Sequence, residues 1–257
     1  MTASAAYSHQ PRSRISILRL HYLLAASILL CQSMPSRAGT DNPPAAAPRA
    51  DEAEQQQRVD AAAQLLQQGK PAEAIDSLDK VIAHFEALRK DKTDLAYCAR
   101  SPGESLAYLA QAAKDSTATS VYGSAWCDAY FLRGYALIEL GRTAEARPAL
   151  ERAVQLAPRE AHYRSELADL YAREKNWNEA LAAFDASATV AEESVEKEHK
   201  NAELGRALRG KGYVLVELGR LDEAEAMYRR CLALDPADRK AMNELRYVQQ
   251  RRQSNPH

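Results

Sequence analysis

A chain of 257 residues, 46% hydrophobic and 27% charged, with a formal net charge of −1, has a globular profile with room for one large domain or two small ones. The near-neutral balance gives no sign of the cationic surface that phosphate neutralisation requires, so no nucleic-acid partner is expected; the basic residues near the C-terminus, Arg229, Arg230, Arg239, Lys240, Arg246, Arg251 and Arg252, read as a solvated helix face. Alanine is abundant and aromatic residues make up only 7%, a composition suited to helices packed closely through small side chains.

In chain order, the first segment stands apart. Arg12, Arg14 and Arg19 precede the apolar run Tyr22 to Leu30, and Pro35, Ser36 and Ala38 follow it. A basic, apolar, small-residue order predicts a secretory signal peptide over 1–38, cut after Ala38. The run is shorter than the ~20 residues of a membrane span, so no span is expected after cleavage. An uncleaved anchor or a misassigned start codon is the alternative. Cleavage would leave 30 Lys+Arg against 35 Asp+Glu, a net charge of −5. The expected location is the periplasm, where disulfides persist. Residues 39–55, rich in Pro and Ala and then in Glu and Gln, read as a flexible tether.

The segment AAAQLLQQGKPAEAIDSLDKVIAHF (61–85) carries two apolar helical stripes around Gly69. Beyond it lies Ser101-Pro102-Gly103-Glu104, a capping box with proline in the first turn. It opens a helix with an apolar stripe at Leu106, Leu109, Ala110 and Ala113.

Two stretches 78 residues apart then use nearly the same words, ELGRTAEARPALERAVQLAP (139–158) and ELGRLDEAEAMYRRCLALDP (217–236). Both follow a shared Gly-Tyr-x-Leu, at Gly134 and at Gly212. Between them, YRSELADLYAREKNWNEALAAFDAS aligns through Ala180, which lies 34 residues after Ala146 and 44 before Ala224. The extra ten residues fall in VAEESVEKEHKNAEL, which has no glycine or proline and reads as two lengthened helices. Ala74 lies 72 residues before Ala146, close to two periods. Asp235-Pro236 reads as a helix N-cap with proline after it, and 238–252 as a closing helix whose apolar face is Ala241, Leu245 and Val248.

A 34-residue period of paired helices, with Tyr130, Gly134, Leu137, Ala146, Leu150 and Pro158 in one unit and Leu208, Gly212, Leu215, Ala224, Tyr228 and Pro236 in another, resembles the tetratricopeptide repeat. The resemblance implies an all-α fold, a right-handed α-solenoid of antiparallel helix pairs. Units are expected near 56–90, 127–160, 161–201 and 202–237, with a degenerate unit at 91–126 and a disordered tail at 253–257. Gly134, Gly212, Ala146, Ala180 and Ala224 would be the small residues where the helices of a pair press together. Gly141 and Gly219 suit left-handed helix caps.

The resemblance further implies a protein or peptide partner, held in a concave groove by the first helix of each pair. The groove residues would be Asp128, Phe131, Tyr135 and Glu139, then His162, Ser165, Asp169 and Arg173, then Arg206, Arg209, Tyr213 and Glu217. Members that grip chaperone C-termini use a Lys/Asn/Arg clamp. Phe131, Tyr135, Glu166 and Asp169 stand in the equivalent places, so that specificity is not implied.

The sequence has no catalytic, phosphate-cradling or metal-ligand spacing, which points to a non-enzymatic adaptor without metal or cofactor. Two other readings stay open: a self-associating module stacked through its repeat ends, and an enzyme acting through His162 and Asp169. Cys98 and Cys127, each placed on a first helix, are a possible disulfide, with two separate buried thiols as the alternative. Cys231 reads as a buried small side chain.

Overall fold

The computed structural model describes residues 50–193 and 197–254. Ten helices run through them: α1 (Ala50–Gln67), α2 (Pro71–Arg89), α3 (Pro102–Lys114), α4 (Ala125–Glu139), α5 (Thr143–Leu156), α6 (Ala161–Arg173), α7 (Trp177–Glu192), α8 (Lys197–Glu217), α9 (Leu221–Leu234) and α10 (Arg239–Ser254). Two short strands, β1 (Leu95–Cys98) and β2 (Thr119–Tyr122), flank α3. The architecture is an all-α solenoid of helix pairs, α1/α2, α4/α5, α6/α7 and α8/α9, closed by α10 against α9 and α8. The expected signal peptide and residues 39–49 of the tether lie outside the described residues. Residues 50–55 are helical, and α10 runs through Gln253 and Ser254, so both sequence boundaries were set inside helices. No helix among the described residues is long and apolar enough to cross a membrane.

The repeated phrase has a local cause. In Glu-Leu-Gly-Arg the glycine ends the first helix of a pair in the left-handed region, at φ +74° for Gly141 and +75° for Gly219, and Gly69 does the same at +74°. The following N–H closes the turn, Arg142 onto Leu137 O at 2.8 Å and Arg220 onto Leu215 O at 2.9 Å, the bonding of a Schellman end. The same arginines then start the second helix and pair with the glutamate three residues on, Arg142 with Glu145 and Arg220 with Glu223. In the third pair Lys175 occupies the left-handed position at φ +61°.

Small residues set the distance between paired helices. A Cβ on Gly134 would lie 2.7 Å from Leu150, and one on Gly212 would lie 2.8 Å from the Tyr228 ring. Ala146, Ala180 and Ala224 have no exposed surface. Leu150, Phe184 and Tyr228 fill the space so left and are likewise buried; each of these large side chains contributes about 2–3 kcal/mol by leaving water.

Three sequence expectations are corrected. The region 91–126 is not a degenerate repeat but a β1–α3–β2 insert with the two strands parallel, Leu95 opposite Thr119 and Cys98 opposite Tyr122. The stack passes over it: α2 packs directly on α4. Within the insert the inward residue of α3 is Tyr108, stacked on Tyr97 at 4.6 Å. The stripe of Leu106, Leu109, Ala110 and Ala113 faces solvent instead. Each strand has only four residues, LAYC and TSVY, too few for alternation to declare itself.

The second correction is the cap of α10. Asp238 is the capping residue, accepting from Lys240 N and Ala241 N at 3.0 and 3.1 Å. Asp235 instead accepts from Ala237 N in the preceding turn. The third is the placement of Cys98, which lies on β1 and not on a first helix. Ser101 does cap α3, accepting from Glu104 N at 3.2 Å. The lengthened repeat appears as α8, which has 21 residues against 13 in α6.

Candidate functional site

The first helices α4, α6 and α8 carry the groove residues, and the structure divides them into a filled end and an open stretch. The filled end begins at Asp128 in the first turn of α4, which is buried. Arg100, two residues past β1, reaches across to it: Nη2 donates to Asp128 Oδ1 at 2.8 Å and to the Tyr163 hydroxyl at 2.6 Å. Arg100 Nε meets Glu160 Oε2 at 2.7 Å. Its guanidinium lies 5.2 Å from the centre of the Tyr163 ring, a cation–π distance. Tyr163 also donates to Asp128 Oδ1. Glu160 has a second task at the start of α6, where its Oε1 accepts from His162 N at 3.1 Å.

Phe131, one turn along α4, is also buried. Its ring stacks on Tyr163 at 4.5 Å and tilts against His162 at 5.1 Å. Asp128 and Phe131 are therefore not the open groove residues that their repeat positions implied. They are covered because the insert delivers Arg100 and because α6 brings Tyr163 onto the same face.

His162 turns toward α8. Its Nδ1 stands 3.6 Å from Glu203 Oε2, an ion contact longer than a hydrogen bond. Arg206 joins the two helices again, with Nε 3.3 Å from Glu203 and Nη1 3.6 Å from Glu166. Burial works to raise the Glu203 carboxyl. His162, Arg206 and His199 more than reverse it, bringing the carboxyl down to about 2. Ser165, placed in the groove by its repeat position, is buried and shares a hydrogen bond with Ser187 Oγ at 2.8 Å. Arg209 is taken up by Asp238, the cap of α10, at 2.5 Å.

The open stretch lies farther along the same helices. Tyr135 is half-buried, and burial followed by the charges of Glu139 and Glu166 pushes its hydroxyl up, with Arg173 working against them. Those neighbours place Tyr135 beside α6. Asp169 and Tyr213 are half-buried, while Glu139, Arg173 and Glu217 are exposed. Tyr135 and Tyr213 each pack in part against the apolar core and leave the rest of their surface accessible.

Sequence reasoning missed Arg100, Glu160, Tyr163 and Glu203. Tyr163 and Glu203 were legible as first-helix residues near His162. Arg100 carried no signal, because its reach depends on an insert the sequence did not disclose. Among the described residues, no group of three His, Cys, Asp or Glu side chains is placed to hold a metal ion.

Comparison with known proteins fits this architecture. Residues 159–237 and 127–160 each match a model of the tetratricopeptide repeat. No curated protein matches the chain. Among solved structures, Pseudomonas aeruginosa PilF is 13% identical, with 79% of this chain and 72% of that one covered and a TM-score of 0.55. A Podosopora anserina putative kinesin light chain with TPR-like repeats is 15% identical over 80% of this chain and 90% of its own, with a TM-score of 0.56. MamA from Desulfovibrio magneticus RS-1 is 15% identical over 78% and 86%, with a TM-score of 0.52. At these identities the likeness is one of fold.

Proposed function

We propose that this tetratricopeptide-type solenoid is a non-enzymatic adaptor that holds a segment of a protein partner along α4, α6 and α8. The observation that carries the reading is the run Tyr135, Asp169, Arg173, Tyr213 and Glu217, half-buried or exposed on three neighbouring first helices. Tyrosine is enriched at binding hot spots because a large rigid ring loses little conformational freedom on contact and keeps a polar tip. Partner contact begins at Tyr135 and runs toward α8, since Arg100 already fills the end at Asp128. The partner is an extended peptide or a helix laid along the groove.

We place the protein outside the cytoplasm, on the strength of the basic–apolar–small order of residues 12–38. Envelope assembly, secretion and cell-wall processes are the settings in which such an adaptor would serve. The test is a cross-linking pull-down from the envelope fraction, comparing the wild type with a Tyr135→Ala/Tyr213→Ala chain of matched melting temperature. Partners recovered by the wild type and lost by the variant support the reading. Equal recovery by both ends the groove assignment.

A further inference from the structure

Cys98 closes β1, and Cys127 lies in the first turn of α4. Their thiols are shut off from solvent, with 1% and 0% of the residue exposed, and belong to one hydrophobic cluster. Both are free thiols in this structure, and the residues that flank them touch. Cys98 pairs in register with Tyr122, whose ring packs edge-on against Trp126 at 5.4 Å, and Trp126 precedes Cys127. Two residues beyond Cys98, Arg100 grips Asp128, the residue after Cys127. Cys127 Sγ donates to Ser124 O at 3.1 Å, and the Tyr163 hydroxyl lies 3.8 Å from the same sulfur.

We propose that Cys98 and Cys127 form a disulfide that fastens the β1–α3–β2 insert to the solenoid and holds Arg100 in the filled end of the groove. The inference stands on the contacts that flank the two cysteines, Cys98 with Tyr122, Tyr122 with Trp126 and Arg100 with Asp128, and does not depend on any partner. The oxidant is a second disulfide, from an exchange catalyst or from oxidised glutathione. One cysteine thiolate attacks it, forms a mixed disulfide and expels one thiolate. The other cysteine then displaces the second. The pair loses two electrons and two protons, and the oxidant leaves as two thiols. Burial, with Cys98 alongside, pushes the Cys127 thiol well above its ordinary value. Thiolate is scarce once the insert has docked, so the exchange belongs to folding. Cys231 supplies an internal control. It is buried on α9 with its thiol directed at Gly205 O, 3.6 Å away, and burial raises it to about 11.

The experiment is a cysteine map of the full chain, refolded in a mixture of oxidised and reduced glutathione. The chain is unfolded in an alkylating reagent, digested with trypsin and weighed. The expected species joins the Thr93–Arg100 peptide to the Asp115–Arg133 peptide and is lighter by two hydrogens than their sum, with Cys231 alkylated. In a parallel melt, reductant lowers the wild-type midpoint by roughly 10 °C, as expected for a loop of this length, and leaves Cys98→Ser unmoved. Alkylation of both Cys98 and Cys127 in the refolded wild type overturns the proposal. So does an equal response of Cys98→Ser to reductant.

Discussion

Gly210 on α8 faces Phe184 on α7 so closely that a Cβ would stand 2.2 Å from two ring carbons. In the middle of a helix, alanine is favoured over glycine by about 1 kcal/mol. Here overpacking outweighs that gain, because Phe184 is itself only 1% exposed and has little room to retreat. Gly210→Ala is expected to lose about 2 kcal/mol net in a urea melt. Gly205→Ala should stay within about 1 kcal/mol of the wild type, since its nearest neighbour is Arg209 Nη1 at 3.3 Å, the end of a long side chain that Asp238 holds and that can shift by a few tenths of an ångström. Equal responses at the two sites would mean that the α7–α8 distance is not set by Gly210.

Lys175 is the position where the repeat departs from its own rule. It holds φ +61° where the other helix pairs use glycine, and a side chain there costs about 1 kcal/mol. Lys175→Gly is expected to stabilise the protein by about 0.5–1 kcal/mol, part of the relief being offset by the freer unfolded chain. Gly141→Ala and Gly219→Ala should lose a similar amount. Thermal melts of the three variants check both signs.

Glu203 gives the protein an acid limb. Its folded value, about 2, lies below the ordinary glutamate value of 4.5. The lowered carboxyl stabilises the fold above pH ~4.5, and that contribution disappears as the pH falls through about 2. The shift corresponds to about 3 kcal/mol. Glu203→Gln should flatten the stability profile between these limits, and urea melts from pH 2 to 6 would show it. A wild-type profile that is already flat there would contradict the assignment.

Arg100 compensates two buried carboxylates, Asp128 and Glu160. Removing one partner of such a group leaves the remaining charge desolvated. Arg100→Ala is therefore expected to lose about 2–3 kcal/mol, less than a fully buried triad would because the arginine keeps 29% of its side-chain surface. Arg100→Lys should recover only part of the loss, since one ammonium cannot span both acids and stack on Tyr163. Melting curves of the two variants measure the difference.

The solenoid was legible because each pair solves the same packing problem with the same residues: Gly134 against Leu150, Gly212 against Tyr228, Gly141 and Gly219 as caps. The insert was not legible, because a four-residue strand leaves no period to read and α3 shows an apolar stripe that faces solvent in the fold. The repeat register places Tyr135, Asp169, Arg173, Tyr213 and Glu217 on the first helices, and the structure leaves them half-buried or exposed. Asp128 and Phe131 had the same register but are covered, because Arg100 and Tyr163 arrive from other elements. Register predicts the face of a helix; it does not predict what else the chain lays on that face.

The central claim is that the partner lies on the first helices. Photo-cross-linking residues placed one at a time at Tyr135 and Tyr213, and at Gln155 and Arg230 on the exposed faces of the second helices α5 and α9, test it directly in cells. The account predicts the same cross-linked species from Tyr135 and Tyr213 and none from Gln155 or Arg230. Capture from the second helices with none from the two tyrosines would contradict it.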